Sequence, residues 1–179
     1  MKKEIEPAPP SQIQKRQLYL GIFFLIVAVI ALILIIVLPD NKTMEYSVPQ
    51  PKFAKEGIAA FYSKDGAEKC SFDIEIADTP ETLTNGLMYR DSMAVNKAML
   101  FIFDKSEQRS FWMKNTYLPL DIIYISEDST IVSVSENTTP FSEQTVMSKG
   151  PALYVLEINA GLYKQFGLET GDKFYWRRD

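Results

Sequence analysis

The chain has 179 residues and a formal net charge of −4, with one cysteine and no histidine. The missing histidine excludes Ser-His-Asp and Cys-His catalysis, zinc sites of the HExxH type and histidine pH switches. The single cysteine excludes a CxxC redox motif, a cysteine-based zinc site and an internal disulfide. Chemistry would have to come from carboxylates, Lys, Arg, Tyr, Ser or Thr side chains, or from the backbone.

Residues 18–38 form an uninterrupted apolar run that contains no charge, no amide and no proline. At about 1.5 Å per residue the run spans roughly 30 Å, the thickness of the bilayer hydrocarbon core. A soluble core helix would show a polar stripe, and this run has none. We therefore predict a transmembrane helix from Leu18 to Leu38, through which the chain binds the membrane.

A cleaved signal peptide is the alternative interpretation of this run. Its apolar region would be about 7–15 residues long and would end in a small-residue cleavage site. The observed run is longer and leads into Pro39-Asp40-Asn41 without such a site. No cysteine follows that could carry a lipid, so we favour an uncleaved signal anchor.

Basic residues on the two sides of the run predict its orientation. The segment before it contains Lys2, Lys3, Lys15 and Arg16, whereas Lys42 is the only basic residue in the dozen that follow. The N-terminus is therefore expected in the cytoplasm and the rest of the chain in the periplasm or extracellular space. Beyond residue 17 the chain has 15 basic and 21 acidic side chains. An acidic domain outside the cytosol is a poor nucleic-acid binder, so no nucleic-acid partner is expected.

Composition divides the chain into four parts. They are a cytoplasmic stub at 1–17, the signal anchor at 18–38, a proline-containing linker at 39–57 and an extracytoplasmic globular domain at 58–179. Pro39, Pro49 and Pro51 disfavour helix in the linker and favour an extended tether.

The domain opens with a predicted hairpin. Residues 58–63 and 68–77 flank the tight-turn sequence Lys64-Asp65-Gly66, and the second arm alternates apolar and polar residues. Cys70 falls on the apolar side, where a small buried hydrophobe is expected rather than a reactive thiol. A short helix should follow over 80–85, with a cap at Asp78-Thr79 and closure at Gly86.

Short strands dominate the remaining sequence. Segments rich in β-branched and aromatic residues lie at 98–103, 109–114, 120–126, 130–136 and 152–159. A helical turn is expected over 161–166, and a turn at Gly171-Asp172 leads into a last strand. This pattern predicts a mainly β domain, a compact small barrel or sandwich with one or two short helices, preceded by the single transmembrane helix.

Four motifs follow one another in the first half of the domain. They are Gly86-Leu87-Met88-Tyr89-Arg90, Met99-Leu100-Phe101, Phe111-Trp112-Met113-Lys114-Asn115-Thr116 and Pro119-Leu120-Asp121-Ile122-Ile123. In order and spacing, the chain closely resembles the domain of unknown function 192 family (also called uncharacterised protein family 0127) over about residues 70–174. The resemblance implies a compact, mostly β domain, often exported or membrane-anchored, without an established activity.

One residue departs from the family pattern. Ala98 stands where the family has a glycine before Met-Leu-Phe. Either the backbone at this position does not need a positive φ, or the turn has shifted slightly.

Arg90 and Asp121 are charged residues within apolar segments, where a charge is rarely left unpaired. An internal salt bridge or a backbone-capping network would explain both. Alternatively, they belong to a polar site in which Asp121 is an acceptor or base and Arg90 clamps an anion.

Trp112, Asn115 and Thr116 are the other candidates. A strand would place Trp112 and Lys114 on one face and Met113 on the other, with Asn115 and Thr116 at the strand exit. These residues either belong to the core and its turn caps or form a platform with donors and acceptors, as in a small polar-ligand or sugar site. We predict a ligand-binding site that comprises Arg90, Trp112, Asn115, Thr116 and Asp121.

The sequence therefore favours a binding or envelope-interaction module whose partner is a small polar ligand, a glycan or an envelope protein. The alternatives are a carbohydrate-active hydrolase or lyase that uses Asp121, with Glu157 as a second carboxylate or Lys114 as another base, and a ligand-free structural domain. Met88, Met99 and Met113 could bind Cu(I), but methionine more often fills a core. We expect no metal site and no cofactor.

Overall fold

The structure, a computed structural model, describes residues 12–37 and 51–179. Residues 1–11, within the predicted stub, and residues 38–50, which include Leu38 and most of the predicted linker, lie outside the described part. The chain separates into two compact units on either side of the boundary between Tyr46 and Ser47.

The first unit contains one helix, α1, over Gln12–Val37. Its window Arg16–Ile33 has a mean hydropathy of 2.3 and none of its residues is buried. By length and composition this helix is apolar enough to cross a membrane, as an anchor or a signal sequence would be.

The second unit consists of one sheet and two short helices. In chain order, its elements are β1 Gly57–Tyr62, β2 Glu68–Ala77, α2 Pro80–Asn85, β3 Lys97–Phe111, β4 Leu120–Ile125, β5 Ile131–Ser135, β6 Val146–Asn159, α3 Leu162–Gln165 and β7 Lys173–Arg178. The sheet order is β5-β4-β6-β3-β2-β1-β7. All neighbouring strands are antiparallel except β2 and β3, which are parallel.

The sheet curls until its two edge strands meet at one end. Thr130, just before β5, forms an isolated bridge with Lys173. The backbone N–H of Ile131 donates to the carbonyl of Asp172 at 3.0 Å, and that of Phe174 donates to the carbonyl of Ser129 at 2.9 Å. The domain is mainly β, as predicted, and its single curled sheet forms a half-barrel rather than a sandwich of two sheets.

The inner face of the sheet is buried throughout, and the outer face is buried at β3, β4 and β6. One apolar cluster receives a buried side chain from each of the seven strands, including Phe61, Phe72, Leu100, Leu156 and Phe174, and therefore fills the inside of the curl. A second cluster lies on the outer face of β3, β4 and β6 and includes Leu87, Phe101, Met113, Ile122 and Val155. Every residue of β4 is consequently buried.

Two strands are longer than the sequence predicts. The expected strands at 98–103 and 109–114 are one strand, β3, which ends at Phe111 and whose register with β6 shifts between Ile102 and Glu107. Strand β6 begins at Val146 rather than at residue 152, in spite of Gly150 and Pro151. A side chain supplies part of the pairing there, because Ser148 Oγ accepts from the backbone N–H of Arg109 at 2.9 Å.

The predicted helix cap, the cysteine and the alanine that departs from the family pattern all lie in the described part of the domain. Thr79 caps α2 in a reciprocal capping box with Thr82, and Gly86 has a φ of +46°. Cys70 is a free, buried thiol of the inner cluster, and burial raises its pKa to about 12. Ala98 of β3 is buried and pairs with Ile74 of β2. Its φ is not positive, so the backbone at this position does not require a glycine.

Asp172 fixes the position at which the edge strands meet. Its buried Oδ2 accepts from Lys69 Nζ at 2.7 Å and from the backbone N–H of Glu169 at 2.8 Å. Lys69 Nζ also donates to the carbonyl of Gly167 at 2.6 Å. This one carboxylate therefore connects β2 to the turn before β7.

We expect Asp172→Asn to lower the free energy of unfolding by about 1–3 kcal/mol, because it removes the charge opposite Lys69. Denaturant unfolding of residues 51–179, which contain both apolar clusters, measures the change. The exposed Asp104 provides the matched control, and Asp104→Asn should change stability by less than about 0.5 kcal/mol. Equal stability of the two variants would contradict this role for Asp172.

Candidate functional site

A cleft of about 260 Å³ opens beside the outer apolar cluster. One wall comes from α2 and the residues after it, and the other comes from β3 and the residues that follow it. Four of the lining residues are aromatic, Phe101, Phe103, Phe111 and Trp112, and Leu83, Leu87 and Met88 add further apolar surface. Most binding sites for small molecules have such apolar walls and only a few polar groups.

Strand β3 positions the aromatic rings. The alternation of a strand places Phe101 and Phe103 on one face, and Phe111 returns to that face after the register shift. The ring of Phe111 packs edge-on against Phe101 at 5.0 Å and against Phe103 at 6.4 Å between centroids. On its other side Phe111 contacts Tyr124 of β4 at 6.1 Å. These contacts fix the aromatic wall against the sheet.

Glu157 lies in the cleft on the neighbouring strand, β6. It stands opposite Met99 of β3 and Ile122 of β4, so all three side chains share the outer face. Its side chain is 5% exposed. Within the described part of the chain, its carboxyl group has no hydrogen bond and no ion pair. Burial raises the pKa of Glu157 to about 8, so the carboxyl group is mostly protonated at neutral pH.

Gly86 keeps the space in front of this carboxyl group open. A Cβ at position 86 would lie 3.0 Å from the ring of Phe101 and 3.9 Å from Glu157 Oε2. The backbone at Gly86, with φ +46° and ψ −130°, is also one that only glycine adopts without strain. The glycine of the first motif thus helps to shape the cleft.

Residues 113–115, between the lining residues Trp112 and Thr116, form the rim of the cleft, and strained backbone occurs in this rim and in two loops next to it. Asn115, Tyr89 and Phe141 all have positive φ values, of 54°, 63° and 60°. The backbone N–H of Tyr89 donates to the carbonyl of Asn115 at 2.9 Å, and that of Phe141 donates to the carbonyl of Thr116 at 3.2 Å. Such conformations cost about 1–3 kcal/mol each and are found together at binding sites.

Two of the predicted site residues, Trp112 and Thr116, line the cleft. Trp112 is 43% exposed, and Lys114 Nζ lies 5.0 Å from the centre of its ring. Asn115 belongs to the rim, where its Nδ2 donates to Tyr89 Oη at 2.8 Å. Trp112 to Lys114 follow β3 rather than lie within a strand, but Met113 is buried on the opposite side from Trp112, as alternation predicts.

Arg90 does not line this cleft. It is buried, and its Nη1 lies 2.5 Å from Glu75 Oε2. Both residues face a neighbouring cavity of about 350 Å³, and residues 85, 86 and 88 line that cavity and the cleft together. The pairing corresponds to the internal salt bridge that the sequence left open.

Asp121 has an internal role as well. Its side chain is 0% exposed. Its Oδ1 accepts from the backbone N–H of Asn137 at 2.8 Å, and its Oδ2 accepts from that of Tyr163 at 3.0 Å. Asp121 pairs with Ile158, whereas Glu157 pairs with Ile122, so the two carboxylates project from opposite faces of the sheet. Asp121 therefore pairs with neither Arg90 nor Glu157.

From the sequence, Glu157 was predicted only as a second carboxylate of a possible enzyme, and the aromatic residues of β3 were not predicted to line a site. A signal was present, because Glu157 is the single charged residue of an otherwise apolar run, Val155-Leu156-Glu157-Ile158. Within the described residues, no group of three or more Cys, Asp or Glu side chains is arranged to hold a metal ion. Met113 is buried and its sulfur accepts from Thr138 Oγ1 at 3.2 Å.

The raised pKa of Glu157 predicts a specific pH dependence of stability. Between the ordinary pKa of 4.5 and the folded-state value of about 8, the unfolded chain is ionised at Glu157 while the folded chain keeps the proton. The folded state binds more protons, so this group makes the domain less stable as pH rises from 4.5 to 8.

Glu157→Gln should remove this contribution, because glutamine does not titrate. We expect the variant to gain stability relative to the native chain as pH rises from 5 to 8.5, by a few kcal/mol. Unfolding by urea at four pH values measures the difference. A difference that stays constant with pH would show that Glu157 has an ordinary pKa.

Substitutions at Asn115 and Tyr89 distinguish the effect of the positive φ at Asn115 from that of the hydrogen bond between the two side chains. Asn115→Ala should lower the free energy of unfolding by about 1–3 kcal/mol, since it strains the positive φ and removes the bond to Tyr89. Asn115→Gly relieves the strain and Tyr89→Phe removes only the hydrogen bond, so each should cost less than Asn115→Ala. Thermal unfolding of the three variants compares them, and equal losses would exclude backbone strain.

Comparisons with known proteins place this geometry in a family. A model of the domain of unknown function 192 family, described as "Uncharacterized ACR", matches residues 62–176. Comparison with the curated proteins finds no match.

Two solved structures are similar to this chain. A Sinorhizobium meliloti 1021 protein, provisionally described as a transcription regulator, is 37% identical with a TM-score of 0.66, and the match covers 70% of this chain and 98% of that one. A protein of unknown function from Novosphingobium aromaticivorans DSM 12444 is 34% identical with a TM-score of 0.63, over 66% of this chain and 84% of that one. The first comparison shows that a chain with almost nothing beyond this domain folds. The chain belongs to the domain of unknown function 192 family.

Proposed function

We propose that this protein is anchored in a membrane by α1 and binds a small ligand in the cleft of its extracytoplasmic domain. The observation that carries the proposal is the convergence of three family motifs on one cleft. Gly86 of the first motif, Phe101 of the second, and Trp112 and Thr116 of the third all line it. Function is best inferred from such a site, because the fold alone does not specify it.

The size and lining of the cleft support a small ligand. A volume of 260 Å³ corresponds to about eight or nine water molecules in the liquid. It lies just below the range of about 300–1,000 Å³ that is typical of sites for drug-sized ligands. Five polar side chains also line the cleft, and of these Thr116 and Glu157 are buried. A compact ligand with apolar parts and one polar head fits this arrangement.

The location rests on the sequence of the N-terminal region. The helix is apolar enough to span a bilayer, and four basic residues precede it. The positive-inside rule then places the domain in the periplasm or extracellular space. The acidic balance of the domain argues against contact with nucleic acid, although one solved relative is provisionally described as a transcription regulator.

Hydrolysis or elimination is the second candidate, supported by the carboxyl group of Glu157. An acid with a raised pKa in an apolar pocket can protonate a leaving group. Glu157 replaces Asp121 as the candidate catalytic acid, because Asp121 is buried on the opposite face of the sheet. Glu75, the carboxylate two strands away on the same face, is already paired with Arg90. A binding role therefore has the stronger support.

The two tryptophans of the chain provide a direct test of binding. Trp112 lies at the cleft, whereas Trp176 lies on β7 and packs against Tyr154 at 6.1 Å. In spectra of ¹⁵N-labelled residues 51–179, we expect a ligand to shift the indole signal of Trp112 and to leave that of Trp176 in place. The panel to titrate contains N-acetylglucosamine, glucose, single amino acids and small amines, each at millimolar concentration.

The variant Trp112→Phe assigns the signal, and Trp176→Phe leaves Trp112 as the only tryptophan, whose fluorescence can be excited selectively in a quenching titration. Gly86→Ala should weaken any binding, because its methyl group enters the cleft. If no compound shifts Trp112 more than Trp176, the cleft does not bind ligands of these classes and the proposal is wrong.

A further inference from the structure

Among the cleft-lining side chains in the described part of the chain, Glu157 is the only acidic or basic one. Almost all buried polar groups in proteins have a hydrogen-bond partner, and burial without one is costly. Glu157 is 5% exposed and has no such partner among the described residues. Its carboxyl group is therefore available for a hydrogen bond or ion pair with a bound molecule.

We propose that the cleft binds a small organic cation, with its alkylammonium head against the Glu157 carboxylate and the rings of Phe101, Phe111 and Trp112. The inference rests on the proposed function, since it names the ligand class of the same cleft. Three observations support it separately. They are the unpartnered carboxyl group of Glu157, the aromatic residues of the lining and the absence of a side chain at Gly86.

The aromatic lining favours a positive charge. The faces of Phe and Trp rings carry negative potential and attract ammonium groups that lie within about 6 Å of the ring centre. Trp112 already makes this contact with Lys114, whose Nζ lies 5.0 Å from the ring. Among the described residues that line the cleft none is basic, and Lys114 contacts Trp112 from the rim.

The absence of a side chain at Gly86 leaves the Glu157 carboxyl group accessible from the cleft. Gly86 has no side chain, and the position of its absent Cβ lies 3.9 Å from Glu157 Oε2. Next to it stands the ring of Phe101, whose edge is 3.0 Å from the same position. A side chain at position 86 would therefore crowd both the carboxyl group and this ring, whereas glycine leaves the approach from the cleft open.

Proton release distinguishes a cation from a neutral ligand. Because burial raises the pKa of Glu157 to about 8, the empty cleft holds a neutral carboxyl group at pH 7. A bound cation stabilises the carboxylate, so the proton leaves Glu157 for solvent. Other titratable groups on this face are Tyr124 of β4, with a pKa near 12, and Glu75 of β2, which is paired with Arg90. Lys114 belongs to the rim and is not among the causes of the shift at Glu157.

Calorimetric titration of residues 51–179 with choline, ethanolamine hydrochloride and neohexyl alcohol tests the inference. Neohexyl alcohol is the neutral carbon isostere of choline. We expect at least one of the two cations to bind at least tenfold more tightly than this isostere at pH 8.5. Its affinity should rise roughly tenfold per pH unit from pH 6 to the pKa near 8 and level off above it. Buffers with different ionisation enthalpies measure the proton released.

Glu157→Gln is the matched variant, because it keeps the size and hydrogen-bonding capacity of the side chain without a charge. It should weaken cation binding at least tenfold and abolish its pH dependence, and circular dichroism checks its fold. Gly86→Ser, which fills the space before the carboxyl group, is the second variant. Flotation with phosphatidylcholine vesicles distinguishes two sources of the cation. If the native domain floats with the vesicles and the Glu157→Gln variant does not, the cation belongs to a lipid headgroup. Choline binding without flotation assigns it to a free ion.

The outcomes separate this inference from the proposed function. If the isostere binds as tightly as both cations, or if Glu157→Gln binds a cation as the native chain does, the inference is wrong. Should a neutral compound still shift the Trp112 indole signal in either case, the cleft remains a binding site for another ligand class. If neither cations nor neutral compounds shift Trp112, both proposals fail.

Discussion

The domain depends on a sheet whose central strands β3, β4 and β6 are buried on both faces. Its inner face closes on itself, because the edge strands meet at Thr130 and Lys173. Within residues 51–179, its outer face at β3, β4 and β6 is covered neither by a second sheet nor by a long helix. Short connections and the six-residue α2 cover it instead. Irregular segments fill space less completely than a packed layer, and the cleft lies where their coverage ends.

The same constraint explains why one charged residue on β6 is so informative. A strand between two apolar layers is expected to be apolar at every position, and Val155, Leu156 and Ile158 follow this rule. Glu157 breaks it on the outer face, where nothing in the described chain satisfies its carboxyl group. A departure from a general folding rule without a structural compensation indicates a functional site. By comparison, Asp121 and Arg90 are equally unusual in sequence but have partners in the folded chain.

Local patterns predicted the elements whose determinants are adjacent in sequence. Alternation predicted β2, enrichment in β-branched and aromatic residues predicted β4, and the Thr79 cap with Pro80 predicted α2. The polar segment between Ile102 and Glu107 resembles a turn, and only its pairing with β6 shows that β3 continues through it. Likewise, the partners of Asp121 are backbone groups at Asn137 and Tyr163, which no local pattern connects to it. Trp112 and Thr116 could be assigned because a strand exit next to an aromatic residue is itself a local signal.

The parallel pairing of β2 and β3 has a further consequence. Parallel neighbours require a crossover connection, and here that connection contains α2 and the motif from Gly86 to Arg90. One wall of the cleft is therefore a loop fixed at both ends, while the opposite wall and Glu157 belong to strands. Insertions in such a loop change its shape without changing the register of the sheet. The connection can therefore change in length and shape while Glu157 keeps its place on β6, and such changes would alter which molecules fit the cleft.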